Sequence, residues 1–332
     1  PLTLAAAAWG GALVYITIQA IIQVTSFPVL TISSLASTYP LVPLFIGAVA
    51  WDALAAWLPA CDRETANRTA HPPATVTPRR ATAEPFPADA PWKRRLPWFA
   101  ALLALAPFLL WHAQFAELFW FGDDFSLVDG IAQSGLWRWI FEFFTESCMS
   151  VFKLAWGGAL FAFGGSYTAM IGLLWLTHAA NTWLLGRLLL RAGFPWIAAL
   201  FTQLIFALAP GNIETLGWSI QWSALLATFF LLLALLWLEN RAEAAPAWSW
   251  RVHMPLALFA AASACSFARG VLTGGVLAVA IVLPAAFAHD WRSALRRLPA
   301  AAVCLLPSVA LACAILAIPQ GNQHALGGHA FE

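Results

Sequence analysis

Apolar runs of about 20 residues, the length that crosses the hydrocarbon core of a bilayer, recur along this chain from Leu4 to Ile318. A water-soluble domain cannot hide so many of them. With 10% charged residues among 332, against roughly 25% in an ordinary soluble domain, the chain has too few charges to cover a surface facing water. It reads as an all-α, polytopic membrane protein whose first partner is membrane lipid. The expected spans are Leu4–Val24, Leu41–Leu58, Pro97–Phe115, Tyr167–Leu190, Pro195–Ala209, Ser219–Leu238, Met254–Ala268, Val271–Ala288 and Pro299–Ile318, about nine helices, of which the fifth and seventh are short. The 19 Trp residues are expected at the membrane–water boundary, where the ring is buried and its N–H stays wet.

The basic residues set an orientation. Seven lie between Cys61 and Arg95; Arg187 and Arg191 end the fourth span, Arg241 and Arg251 separate the sixth from the seventh, and Arg292, Arg296 and Arg297 separate the eighth from the ninth. Threading the spans alternately puts 14 of the 17 basic residues on one side, which makes that side cytoplasmic. The exceptions are Arg138, Lys153 and Arg269. A net charge of +1 argues against a nucleic-acid partner.

Three regions follow. Residues 1–60 form an N-terminal helix pair, and residues 61–95 form a cytoplasmic linker rich in Pro, Ala and Arg with no apolar period. Residues 96–332 form the transmembrane core. The start at Pro1 and the stop at Glu332, just after an apolar segment, point to a piece of a longer protein. Cys61, Cys148, Cys265, Cys304 and Cys313 show no CxxC spacing and read as small core residues, neither a disulfide framework nor a metal site.

The outward segment from Glu117 to Lys153 collects six acids. Within it Ser134, Arg138, Glu142 and Thr145 recur at helical spacing opposite Leu136, Ile140, Phe143 and Phe144. That pattern suits a helix lying flat in the interface, or an exposed loop whose aromatics wet the headgroups.

Four constellations could carry chemistry. Asp123 and Asp124, in Phe121-Gly122-Asp123-Asp124-Phe125, are adjacent carboxylates that repel and are costly to desolvate, so a cation, a metal ion or a substrate proton should compensate them. A carboxylate there can act as a general base; solvated acids in a turn are the plainer explanation. His178 and Asn181 are three apart in the fourth span and share a helix face, either in a site or as hydrogen-bonding glue between helices. Glu214 is the acid of the outward turn Pro210–Trp218, which is also a tight helical hairpin. Arg269 stands on the outward turn after the seventh span, where its planar fork suits a phosphate or snorkels to headgroups.

In order and spacing these residues resemble the GT-C superfamily of membrane glycosyltransferases, which includes the protein O-mannosyltransferases and the lipid A aminoarabinose transferase. Members carry an acidic pair and a membrane-parallel helix after an early transmembrane helix. A pattern like H-x-x-N-x-x-L follows, here His178 to Leu184, and then P-x-x-x-E-x-x-x-W, here Pro210, Glu214 and Trp218. Where relatives often have Lys-Glu, this chain has Arg269-Gly270, so the acid is missing and the base has changed. The resemblance covers roughly Pro97 to Ile318.

The resemblance implies a sugar donor linked to a polyprenyl phosphate and a hydroxyl acceptor that inverts the anomeric carbon. Asp123 or Asp124 would take the acceptor proton, while Glu214, Arg269, His178, Asn181 and Trp218 would bind substrate. Arg269, or a divalent ion (Mg or Mn) held by Asp123 and Asp124, would meet the leaving phosphate. The setting would be a bacterial inner membrane with the site facing the periplasm or exterior. The competing expectations are a transporter or flippase of a lipid-linked glycan, and a non-enzymatic assembly subunit. Transport would favour inverted repeats, and the chain shows no internal repeat.

Overall fold

A computed structural model describes residues 96–317 except 116–117, 121, 145–146, 193, 209–211, 242–248 and 288. The expected helix pair in residues 1–60 and the 61–95 linker lie outside the described residues. Among those described the chain is all-helical, with no strand; one isolated bridge, Phe144 to Ser147, tightens a loop. Twelve α-helices follow in order: α1 Leu96–Ala104, α2 Ala106–Phe115, α3 Asp123–Ser134, α4 Leu136–Phe141, α5 Ser150–Ala162, α6 Tyr167–Arg191, α7 Trp196–Leu208, α8 Asn212–Gly217, α9 Trp222–Arg241, α10 Trp250–Ala264, α11 Leu272–Phe287 and α12 Trp291–Leu316. Short 3-10 turns at Ser219–Gln221 and Ala268–Val271 lead into α9 and α11.

Three stretches, Ser219–Arg241, Ala268–Ala286 and Trp291–Ile315, are long and apolar enough to cross a membrane, which marks the chain as a membrane protein. The last is only 22% buried within the bundle and turns Leu298, Leu306 and Val309 outward. An apolar face of that kind suits lipid, not water. α6 is long enough to span, but Thr177, His178, Asn181 and Thr182 dilute its apolar character, and all four lie in the bundle interior or at its margin. It is the central helix, with buried residues along its whole length.

Side-chain bonds fix the helix directions. Gln203 Nε2 of α7 donates to the Thr182 carbonyl of α6 (2.9 Å), and Asn181 Nδ2 of α6 donates to the Leu225 carbonyl of α9 (2.9 Å). At the two ends of the α9–α10 pair, Ser263 Oγ donates to the Ala227 carbonyl and Trp237 Nε1 to the Val252 carbonyl, so these helices run antiparallel. α11 and α12 are likewise antiparallel, through Ser308 with Gly274 and Arg297 with Ile281. Arg187, Arg191, Arg241, Arg251, Arg292 and Arg297 consequently gather at one end of the bundle. The acidic turn, the Ser219 turn and the Arg269 turn occupy the other.

Several sequence-level expectations change. The Pro97–Phe115 span is two helices meeting at Leu105, next to Pro107, whose missing N–H cannot close the preceding turn. The flat interfacial helix is two helices, α3 and α4, broken at Gly135, whose φ of 73° is open to glycine at little cost. Of the predicted apolar stripe, Ile140 is buried in the bundle while Phe143 is exposed; beside the stripe, Trp139 is buried and Trp137 is 72% exposed. The predicted polar stripe is partly realised: Ser134 Oγ donates to Glu142 Oε2 (3.0 Å), and Arg138 pairs with Glu142 Oε1 (3.0 Å).

α5 was not anticipated at all. Its Phe152 and Trp156 are fully buried in a first core cluster with Leu127, Trp139, Met170 and Leu174. Its Lys153 is only 1% exposed, and Nζ donates to the carbonyls of Trp139 and Glu142 at 2.9 Å each while sitting 4.8 Å from the Trp139 ring centroid. A cation is favoured at a helix C-terminus, where carbonyls lack partners. Lys153 thus caps α4, and each exception to the one-sided basic pattern has a local role: Arg138 pairs with Glu142, and Arg269 lies 5.4 Å from the Phe267 ring.

Candidate functional site

Asp123 and Asp124 open α3, so the acidic pair occupies the first turn of a helix, not a loop. The N-terminal dipole favours negative charge there and eases the repulsion expected of the pair. Gly122 precedes them at φ 55°, a left-handed backbone that suits glycine, and the Trp218 indole packs so closely that a Cβ at Gly122 would lie 3.4 Å from it.

The helix phase then separates the two acids. Asp123 is exposed; Asp124 is completely buried. Ser219 Oγ donates to Asp124 Oδ1 over 2.6 Å and accepts from Trp156 Nε1 over 2.9 Å. Two neighbouring backbone carbonyls are held in the same manner: Tyr167 Oη donates to Gly217 (3.0 Å) and Trp175 Nε1 to Leu216 (2.8 Å). Three aromatic donors from α5 and α6 thereby grip the strip Leu216–Ser219, and Asp124 closes it from α3.

This strip overlaps the end of the Pro210–Trp218 motif and runs one residue past it, so the acidic turn meets the motif at Gly122–Trp218 and the residue after it at Asp124–Ser219. Glu214 lies on α8, two residues before the strip, and its side chain is outside the described residues. Arg269 occupies the 3-10 turn before α11, at the same end, and Phe267 beside it packs against the first core cluster.

His178 and Asn181 are placed elsewhere. They lie three and six residues down α6 from Trp175, about 4.5 and 9 Å along a helix at 1.5 Å per residue, on the side away from the strip's Tyr167 end. His178 Nε2 is 3.2 Å from the Ala207 carbonyl and its ring stacks on Phe206, while Asn181 bonds to Leu225 of α9. Both are fully enclosed, and both join helices; of the two expectations for them, interhelical bonding is the one this geometry serves.

The donor set can be tested against a divalent ion. Asp123 is exposed, one oxygen of Asp124 is engaged by Ser219, and among the described residues no three His, Cys, Asp or Glu side chains converge. Among the described residues the protein's own ligands for such an ion are limited to this pair, and one or two carboxylates with substrate phosphate oxygens is the usual holding of Mg.

Tyr167, Trp175, Trp156 and Ser219 had not been singled out from the sequence. Trp at a membrane boundary is the ordinary expectation, yet Trp139, Trp156, Trp175 and Trp222 are buried. The available signal was the density of Trp and Tyr on α5 and α6, which bring N–H and O–H donors into an apolar core and so require acceptors there.

Fold and site together define an all-helical membrane bundle with a carboxylate-bearing, aromatic-lined polar end. Compared with family models, curated proteins and solved structures, the chain matches none.

Proposed function

We propose that this chain is a membrane glycosyltransferase of the GT-C type, a nine-span protein that moves a sugar from a polyprenyl-phosphate donor to a hydroxyl acceptor on the extracytoplasmic face of a bacterial inner membrane. The observation that supports this reading is the meeting of the acidic turn with the end of the Pro210–Trp218 motif: Trp218 lies against Gly122, and Ser219, the next residue, bonds Asp124 at 2.6 Å. These are the two segments that carry the family resemblance, and they come from distant parts of the chain. The basic residues gathered at the opposite end supply the orientation, since cytoplasmic ends of membrane proteins collect Arg and Lys.

In this reading the two acids divide the work. Exposed Asp123 accepts the proton of the acceptor hydroxyl as that oxygen bonds to the anomeric carbon and the sugar–phosphate bond breaks. Buried Asp124 holds the turn in place through Ser219 and is a positioning residue. Arg269 stabilises the charge that grows on the departing phosphate, a task for which its two-point grip is suited. Glu214 and Trp218 line the substrate path. His178 and Asn181 support the helices behind it.

Incubating the purified full chain with radiolabelled polyprenyl-phosphate sugars and a set of hydroxyl acceptors tests the proposal. Transfer of label to acceptor, absent with Asp123→Asn, is the expected result. Passage of labelled lipid across a proteoliposome membrane without transfer would replace it with the flippase reading.

A further inference from the structure

Cys148 and Cys265 were read from the sequence as unrelated core residues, but the fold brings them together. Cys148 lies just before α5, and Cys265 caps the C-terminus of α10. The backbone N–H of Val151 donates to the Cys265 carbonyl over 2.9 Å, which ties the first turn of α5 to the end of α10. The two thiols lie close enough to perturb one another's ionisation, and both side chains are half-buried, so a small reagent can reach them. The other two described cysteines differ: Cys304 is sealed among Ala234, Leu256 and Leu277, and Cys313 is exposed on α12.

We propose that Cys148 and Cys265 form a redox pair that closes to an intramolecular disulfide, linking the α4–α5 segment to the α10–α11 turn that carries Arg269. Formation proceeds by thiol–disulfide exchange with a disulfide oxidant. The Cys148 thiolate attacks one sulfur of the oxidant, forming a mixed disulfide and expelling one thiolate. Cys265 loses its proton and attacks the Cys148 sulfur, breaking the mixed disulfide and expelling the second thiolate. Two protein thiols and one oxidant disulfide become one protein disulfide and two oxidant thiols.

Cys148 is suited to the first attack because the thiolate is the nucleophile. The Cys265 thiol, assisted by Ser150 at 3.3 Å and by the Lys153 ammonium, holds the Cys148 thiol well below the ordinary value, at about 5. Cys265, held beside the start of α5 by the Val151 bond, is placed to resolve the mixed disulfide before a second oxidant arrives. In the reduced state the two segments are joined here by the Val151 bond; in the oxidised state they cannot separate. Because α5 also carries Lys153, which caps α4, the covalent link would stiffen the path from the outer helices to the Arg269 turn.

The test uses the purified full chain in detergent, equilibrated with excess oxidised glutathione, acid-quenched, alkylated and digested for mass spectrometry. The expected product is one cross-linked peptide joining Cys148 to Cys265, reversed by dithiothreitol and missing from Cys148→Ser and Cys265→Ser. Oxidation should raise the thermal midpoint of the native chain by several degrees, because a cross-link restricts the unfolded ensemble, and should leave both Ser variants unmoved. Recovery of both cysteines as free thiols, or as persistent glutathione adducts, would overturn the proposal. The readout needs no sugar donor, so it is decided independently of the transferase reading.

Discussion

The Ser219 hydroxyl reaches Asp124 Oδ1 across 2.6 Å, joining the first turn of α3 to the turn that starts α9, inside a shell of Trp156, Tyr167 and Trp175. A buried carboxylate bonded in this way is worth more to the fold than an exposed one, since removing its partner leaves the remaining polar atom unsatisfied. Asp124→Ala and Ser219→Ala should each cost about 2 kcal/mol of stability, and the double variant should cost less than their sum. Thermal or denaturant unfolding in detergent, arranged as a double-mutant cycle, measures the coupling.

Lys153 gives a pH signature. Burial holds its ammonium below the ordinary 10.5, at about 8, despite the opposing pull of Glu142. The unfolded chain keeps this proton up to pH 10.5, whereas the folded chain releases it near 8. Between those values the unfolded state binds more protons, so raising the pH stabilises the fold. Lys153→Met should lack that rise and should lose about 2 kcal/mol at neutral pH through the unpaired carbonyls at the end of α4. Unfolding midpoints measured from pH 7 to 10.5 compare the two.

Gly270 sits against the end of α10, where an added Cβ would strike the Ser263 carbonyl and the Ala264 amide. Neither is a side-chain tip that can rotate away. Gly270→Ala should therefore destabilise by about 1–3 kcal/mol or more and displace the Arg269 turn. Gly275→Ala, with open space around it, serves as the control and should be neutral or slightly stabilising in its helix.

Topology can be tested with positions exposed at opposite ends of the bundle. In a cysteine-free background, a cysteine replacing Trp137 should react with a membrane-impermeant maleimide added to intact cells. One replacing Arg241 should react only after permeabilisation. Reaction of both from one side would contradict the alternating arrangement.

The helices that were legible in the sequence are those whose length and apolarity suffice by themselves. α9, α11 and α12 were outlined by hydropathy, and the Arg residues that close α6 and α9 or open α10 and α12 predicted their shared end. α5 was hidden because Ser150–Ala162 is short and follows an acidic, aromatic segment, so that no period announced it as the centre of a core. The acidic pair was visible as a pair, but its division into exposed Asp123 and buried Asp124 depends on helix phase and on Ser219, far away in the chain. Lys153 looked like an exception to the charge rule because its partners, the α4 carbonyls, are backbone groups that carry no sequence signal. The approach of Cys148 to Cys265 is a tertiary fact of the same kind.

The claim that Asp123 is the working carboxylate of this polar end rests on its exposure beside a buried, bonded neighbour. Its most direct measurement pairs transfer with unfolding for Asp123→Asn. An exposed substitution of this kind should change stability by no more than about 0.5 kcal/mol, while transfer from a polyprenyl-phosphate sugar should fall by at least about 100-fold, the lower range for loss of a general base. Undiminished transfer by a normally folded Asp123→Asn protein would contradict the account.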